Sequence, residues 1–298
     1  MTTGQAKFWI GPSGWSYEDW YGIVYPEPAP RGFKPLGYLA QFFNAVEVNS
    51  SFYRIPSPRT TAAWVSLVPS DFRLTFKLTQ IFTHQRADFP PPEEVRAFKE
   101  ALKPVAEANR LGPLLIQFPW SFRYSPQAAE WLARLADAFG EYERFFEVRH
   151  SSWARPEGLQ AIATCGGFCN IDQPKLRSCL RPTTHVFGES AYVRLHGRNA
   201  QHWFAENQPA FERYNYLYST EELREWADRL DLLAAKARQV YVFANNHYKG
   251  QGPANALELR ALLERRQVDV PRELMGAYPR LAEIARPTAP AGLFDDPR

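Results

Sequence analysis

Glu47, Lys77, Glu147, Arg149, Arg194 and His196 each stand at or near the C-terminal end of a short apolar run. Asn49, Thr75, Gln117, Asn170, Asp172 and Asn245 fall at equivalent places. These residue types have a chemistry in common. A carboxylate serves as general base, an imidazole as general acid, and Lys and Arg hold an anion, Arg through paired N–H bonds. The set suits hydrolytic or other acid/base chemistry on a phosphate-bearing substrate, a nucleotide or nucleic acid. In that reading Glu147 or Glu47 is the base, His196 the acid, Asp172 a further carboxylate, and Lys77, Arg149 and Arg194 the anion clamp. Asn49, Gln117 and Asn245 add polar contacts, and Trp15, Tyr53, Trp120, Trp153 and Trp203 offer faces on which a base can stack.

Two other functions draw on the same residues. Paired carboxylates with aromatic platforms also serve carbohydrate chemistry. Three cations exceed what a neutral sugar needs, so a sugar phosphate fits better than a glycan. A non-catalytic binding or regulatory protein is the third. Against all three stands a plain ion-pair network, Glu147 with Arg149 or Arg194, because a charge inside a protein must be paired.

The elements that would position these groups are legible. Runs at 8–11, 45–49, 72–78, 114–118, 144–149, 167–172, 191–196 and 240–245 have strand character, with helical periodicity between several of them at 91–109, 125–139 and 219–237. Ser125 precedes a proline, and Ser219 precedes Glu222 by three residues; both are helix-start signals. Eight strands alternating with helices predict a single (β/α)8 TIM-type barrel over 1–286, an open doubly wound sheet being the alternative. Residues two apart on a strand share a face. The set Val46, Val48, Leu74, Phe76, Leu114, Ile116, Phe146, Val148, Val193 and Leu195 is apolar and should pack under helices. The alternate set turns polar toward each strand's C-terminal end, where barrel enzymes hold their chemistry. Cys169 falls on the outward set by this count, and Trp9 reads as core.

Composition narrows the partners. A net charge of +3 is too small to indicate nucleic acid by bulk electrostatics, so anion binding must be local. Cys165, Cys169 and Cys179 are odd in number and lack a CxxC pair, which predicts reduced thiols and, with no signal-like or membrane-length apolar stretch, a cytoplasmic protein without membrane partners. No cofactor is expected. A divalent metal stays open, since Glu47, Glu147, Asp172 and His196 are scattered across strands and no HExxH-type spacing occurs. Ser13 has no neighbouring base in sequence. KGQGPANA (249–256), with Gly250 at its turn, has the look of a phosphate loop before a helix. The connection 197–218 is long and aromatic, as a lid would be. The Pro-rich tail 287–298 is expected to be loosely attached, and its Leu293–Phe294 pair to be at most a weak docking peptide.

The ordered motifs GPSGWSYEDWYG (11–22), EVNSSFYRIP (47–56), TFKLTQIFTH (75–84), LLIQFPWSF (114–122), FEVRHSSW (146–153), YVRLHGR (192–198), RYNYLYS (213–219) and VYVFANNHYKGQGPANA (240–256) resemble the YecE-like family, domain of unknown function 72. The resemblance covers nearly the whole chain and implies a TIM-type barrel; it implies no activity. This chain departs from the family pattern at His247, where an acidic residue often follows the paired asparagines.

Overall fold

The computed structural model describes residues 6–86, 91–205 and 209–286. Eight parallel strands follow one another around a sheet: β1 (Lys7–Pro12), β2 (Ala45–Val48), β3 (Arg73–Lys77), β4 (Leu111–Gln117), β5 (Arg144–Glu147), β6 (Gly167–Asp172), β7 (Ser190–Leu195) and β8 (Gln239–Ala244). The helices are α1 (Pro35–Leu39), α2 (Pro58–Val65), α3 (Pro92–Glu107), α4 (Pro126–Ala138), α5 (Pro156–Cys165), α6 (Thr220–Ala234), α7 (Gln251–Glu264) and α8 (Arg272–Ala277). The expected helix starts hold: Ser125 Oγ accepts the Ala128 N–H, and Ser219 and Glu222 form a reciprocal capping box. The barrel departs from a strict alternation once. Segment 173–189 joins β6 to β7 without a helix and folds over the rim instead, where Leu180 N donates to Arg149 O (2.8 Å).

Hydrogen-bonded ladders run in the order β1-β8-β7-β6-β5-β4-β3-β2, which leaves β1 beside β2 without a regular ladder. The Asn44 side chain and a backbone bond close that seam. Asn44 Nδ2 donates to Phe8 O (2.9 Å), its Oδ1 accepts Ile10 N–H (2.8 Å), and Gly14 N donates to Glu47 O (2.8 Å). Gly11 is obligatory here, since a Cβ on it would lie 1.8 Å from Ala45 O. Asn44→Ala strands two backbone groups at the seam and is expected to destabilise the fold by about 1–3 kcal/mol, read by urea denaturation. A loss near zero would mean that the seam is held elsewhere.

The parity expectation holds on six of the seven strands it addressed. Ile10, Val193, Leu195, Val240 and Val242 pack outward with α6 and α7, and Val46, Leu74, Phe76, Leu114 and Phe146 pack outward elsewhere around the sheet. Inside, Trp9, Tyr241 and Tyr192 stack in series at 6.2 and 6.1 Å, with Phe145 beside Tyr192. This aromatic layer plugs the lower barrel, so polar groups above it open only toward the C-terminal rim.

On β6 the parity is the reverse of the expectation. Its register pairs Ile171 with Arg194 and Cys169 with Tyr192, so Cys169 and Ile171 point inward, and Asn170 and Asp172 outward. The strand GFCNID is equally compatible with either face, and neighbouring segments decide it. Asn170 Oδ1 accepts from Thr183 and from His185 N–H, both at 2.8 Å, pinning the helix-free segment. Asp172 accepts from Arg198 Nε (2.8 Å), whose Nη1 reaches Glu222 on α6. Asp172 therefore anchors the connection after β7 and is not part of the interior site.

Candidate functional site

The interior polar groups are arranged in two tiers. In the lower tier Arg194 bridges two carboxylates from opposite sides of the barrel. Its Nη1 donates to Glu147 Oε2 (2.7 Å), and its Nη2 to Glu47 Oε1 (2.6 Å) and Asn245 Oδ1 (3.2 Å). Glu47 also accepts from Ser13 Oγ (2.8 Å) and Tyr192 OH (2.7 Å); Glu147 also accepts from Arg149 Nε (2.8 Å). Arg194, Glu47 and Glu147 are at most 1% exposed. Burial alone would raise the Glu147 carboxyl, but Arg194, His196 and Arg149 hold it well below the usual carboxylate range.

His196 is set by its neighbours. Arg194 fixes the amide of Asn245 by occupying Oδ1, so Asn245 Nδ2 is the donor to His196 Nδ1 (3.0 Å). The ring proton then sits on Nε2 and is given to Glu147 Oε1 at 3.0 Å. Burial pushes this imidazole down to about 3, so it is neutral at physiological pH. The expected acid, His196, has no proton free for a leaving group, and the expected bases, Glu47 and Glu147, are tied to cations. The sequence brought the right residues together, but as a floor.

Above the floor lies a cavity of about 380 Å³ lined by Lys77, Arg149, Arg194, Asn49 and Asn245, with Tyr17, Tyr53, Phe211, Tyr214 and His247 as its walls. Lys77 is unlike the other cations. Its ammonium makes no ion pair or hydrogen bond among the described residues and rests 3.8 Å over the Phe52 ring. Burial and the Arg194 charge lower it to about 7. Arg149 is bonded only through Nε among the described residues, which leaves its terminal guanidinium nitrogens toward the cavity.

The expected aromatic platforms divide. Tyr53, 75% exposed, stands between this cavity and a smaller one of about 210 Å³ that Trp15 lines. Trp153 is fully buried against Phe122 and Tyr124 and is core, its Nε1 donating to Phe122 O (2.8 Å). Trp203 packs beside His196 and Tyr214, and Trp120 against Phe204 and His150. Gln117 faces the interior but its Nε2 folds back to Phe118 O (2.6 Å). Gly250 does not line the cavity. It sits in a left-handed turn where a Cβ would meet Val24 at 2.6 Å, so it serves packing, and Asn255 of the same motif binds Tyr218 N and Asn246. The tail and its Leu293–Phe294 pair lie outside the described residues.

Two wall residues, and the place of Ser13 in the floor, escaped sequence reasoning. Tyr17 and Tyr214 come from loops that no strand parity addresses, and Ser13 is an interior residue just past β1 whose partner, Glu47, is on the neighbouring strand. His247 stacks on Tyr17 at 4.5 Å with rings 9° from parallel, and burial lowers it to about 4. His247, expected from the sequence to depart from the family pattern, is here a neutral ring. Metal donors are limited by the same geometry: Glu47 and Glu147 face Arg194, and no group of three His, Cys, Asp or Glu among the described residues is arranged for an ion. No described helix is long and apolar enough to cross a membrane.

The comparisons agree with the fold. UPF0759 protein YunF of Bacillus subtilis (strain 168) is 30% identical over 270 residues, covering 86% of this chain and 94% of that protein. UPF0759 protein YecE of Escherichia coli (strain K12) is 30% identical over 156 residues, about half of either chain. The crystal structure of a DUF72 family protein from Thermotoga maritima MSB8 superposes with a TM-score of 0.77 at 36% identity, covering 87% of this chain and 99% of that one. The family described as "Protein of unknown function DUF72" matches residues 9–278. This chain belongs to the DUF72 family.

Proposed function

We propose that the rim cavity binds a small phosphate-bearing ligand, a nucleotide or sugar phosphate, held by Lys77 and Arg149 against the rings of Tyr17, Tyr214 and His247. One observation carries this reading: the interior holds three cations against two carboxylates, and the unneutralised charge is the one facing the cavity. An oxyanion completes that balance with charge-assisted hydrogen bonds, and the guanidinium fork of Arg149 matches its geometry. A neutral glycan would leave the Lys77 ammonium without a partner, so the charge favours a phosphate over an uncharged sugar. The reading is one of binding. Hydrolysis by Glu147 and His196 would require both to leave the pairings that hold them.

Calorimetric titration with ribose 5-phosphate and with ribose tests it. The phosphate is expected to tighten binding at least about tenfold, the worth of one charge-assisted hydrogen bond, and inorganic phosphate is expected to compete. Equal affinity for the two sugars, or no binding of either, would overturn the proposal.

A further inference from the structure

Within the rim cavity, one group is placed for covalent chemistry. Lys77 ends β3 with its side chain on the interior face, in a cavity that holds two carboxylates beneath it. Neither carboxylate pairs with it. Glu47 is taken by Arg194, Ser13 and Tyr192, and Glu147 by Arg194, Arg149 and His196. A lysine kept only for structure in this cup would be expected to sit on one of them. Instead its nitrogen lies over the Phe52 ring, with Arg149 across the cavity.

We infer that the Lys77 amine is a nucleophile for carbonyl compounds and condenses with the open-chain aldehyde or ketone of a sugar phosphate, the phosphate being held by Arg149. This rests on the phosphate reading of the same cavity, leaves the phosphate to Arg149 once Lys77 has bonded to the carbonyl carbon, and adds the reacting group of the ligand. The step balances without a further reagent. The neutral amine's lone pair forms a bond to the carbonyl carbon, and a proton passes from nitrogen to the carbonyl oxygen. The resulting hydroxyl leaves as water on taking a second proton from solvent, and a C=N bond to Nζ remains. Protonated, that imine carries the same single positive charge as the ammonium it replaces.

The groups facing Nζ explain why a neutral amine is accessible there. Burial lowers its basicity first, then Arg194 on β7; Arg149 lowers it further, while Glu147 on β5 and Glu47 on β2 oppose them, and the amine titrates at about 7. His84, on the turn after β3, is held at about 4 by burial and by Lys77 and Arg149, so it adds no charge near neutrality. Desolvation beside a second cation is a known way to make a lysine nucleophilic.

The chain has eight lysines, so seven serve as internal controls. The intact protein is incubated near neutral pH with glyceraldehyde 3-phosphate and cyanoborohydride, and the reduced adduct at each lysine is quantified by peptide mass spectrometry. Lys77 is expected to be modified at least about tenfold faster than any other lysine, because its lowering to about 7 leaves a large fraction of its amine neutral near neutral pH. Its rate should climb as pH rises through about 7 and then level off. Lys77→Arg should abolish this adduct and spare the remainder. Modification of Lys77 no faster than the others would overturn the inference.

Unphosphorylated glyceraldehyde separates this inference from the one beneath it. Fast labelling of Lys77 by both aldehydes, unprotected by inorganic phosphate, would keep the nucleophile and sink the phosphate site. Tight ribose 5-phosphate binding without Lys77 labelling would keep the phosphate site and sink the nucleophile.

Discussion

Arg194→Met is expected to destabilise the protein by about 3–5 kcal/mol, the cost of leaving buried charges without their partner. Arg194 bonds Glu47 and Glu147 at once, and removing it leaves two carboxylates facing each other above an apolar plug of Trp9, Tyr192 and Tyr241. Arg194→Lys should recover only part of the loss, since one ammonium cannot reproduce two guanidinium bonds pointing in different directions. The sign of the pH dependence is diagnostic. In the wild type the Glu147 carboxyl lies below its ordinary 4.5, so it contributes stability that is present above that value and lost as pH falls through the depressed one. In Arg194→Met, burial and the facing carboxylate raise one of the pair instead, and stability then improves on acidification toward 4.5. Urea denaturation at several pH values reads both effects. If the variant does not fold at neutral pH, the double variant Arg194→Met with Glu147→Gln, which removes opposite charges together, should regain stability. A loss under about 1 kcal/mol would show that the floor is not an obligatory ion-pair network.

Lys77→Met is expected to act in the opposite direction on stability while removing ligand affinity. Lys77 is lowered from 10.5 to about 7 in the folded state, so between these values the unfolded chain binds the proton that the folded one has lost. Wild-type stability therefore rises with pH across that window through this group, and the penalty for the buried ammonium is fully present below about 7. Methionine fills a similar volume without that penalty. The variant should be more stable than wild type by about 0.5–2 kcal/mol near neutrality, with the gap closing as pH approaches 10.5. Ribose 5-phosphate affinity should fall at least about tenfold in the same protein. A stabilised variant that still binds would remove Lys77 from the ligand site; a destabilised one would show that its stem or its charge supports the fold.

Both expectations concern residues whose strand position was readable beforehand, and this marks how far the sequence reaches. Alternation on β2, β3, β5, β7 and β8 put Glu47, Lys77, Glu147, Arg149, Arg194, His196 and Asn245 on the interior face at one rim. Alternation on β6 failed because its apolar set, Gly167, Cys169 and Ile171, faces the interior, while Asn170 and Asp172, with Phe168, face outward. There the choice belongs to Thr183, His185 and Arg198, which come from later in the chain and satisfy the polar set from outside. The same limit hid Tyr17, Tyr214 and the stacking of His247, since loop residues follow no period.

The sequence by itself determined the barrel, the apolar outer face of most strands, the helix starts at Ser125 and Ser219, and the gathering of charge at one rim. Those are consequences of local periodicity and capping, which a strand or helix carries wherever it is placed. Only the tertiary structure decided what the gathered charges do. Glu47 and Glu147 are on strands far apart in sequence, and whether they face a ligand or a cation depends on the strands that the closed barrel sets across from them. Closure puts Arg194 between the two carboxylates, buries His196 as a neutral ring whose tautomer Asn245 sets, and leaves Lys77 over Phe52 with no carboxylate of its own among the described residues. Pairing distance and desolvation decide which charge is structural and which is free, and neither is a property of any one segment.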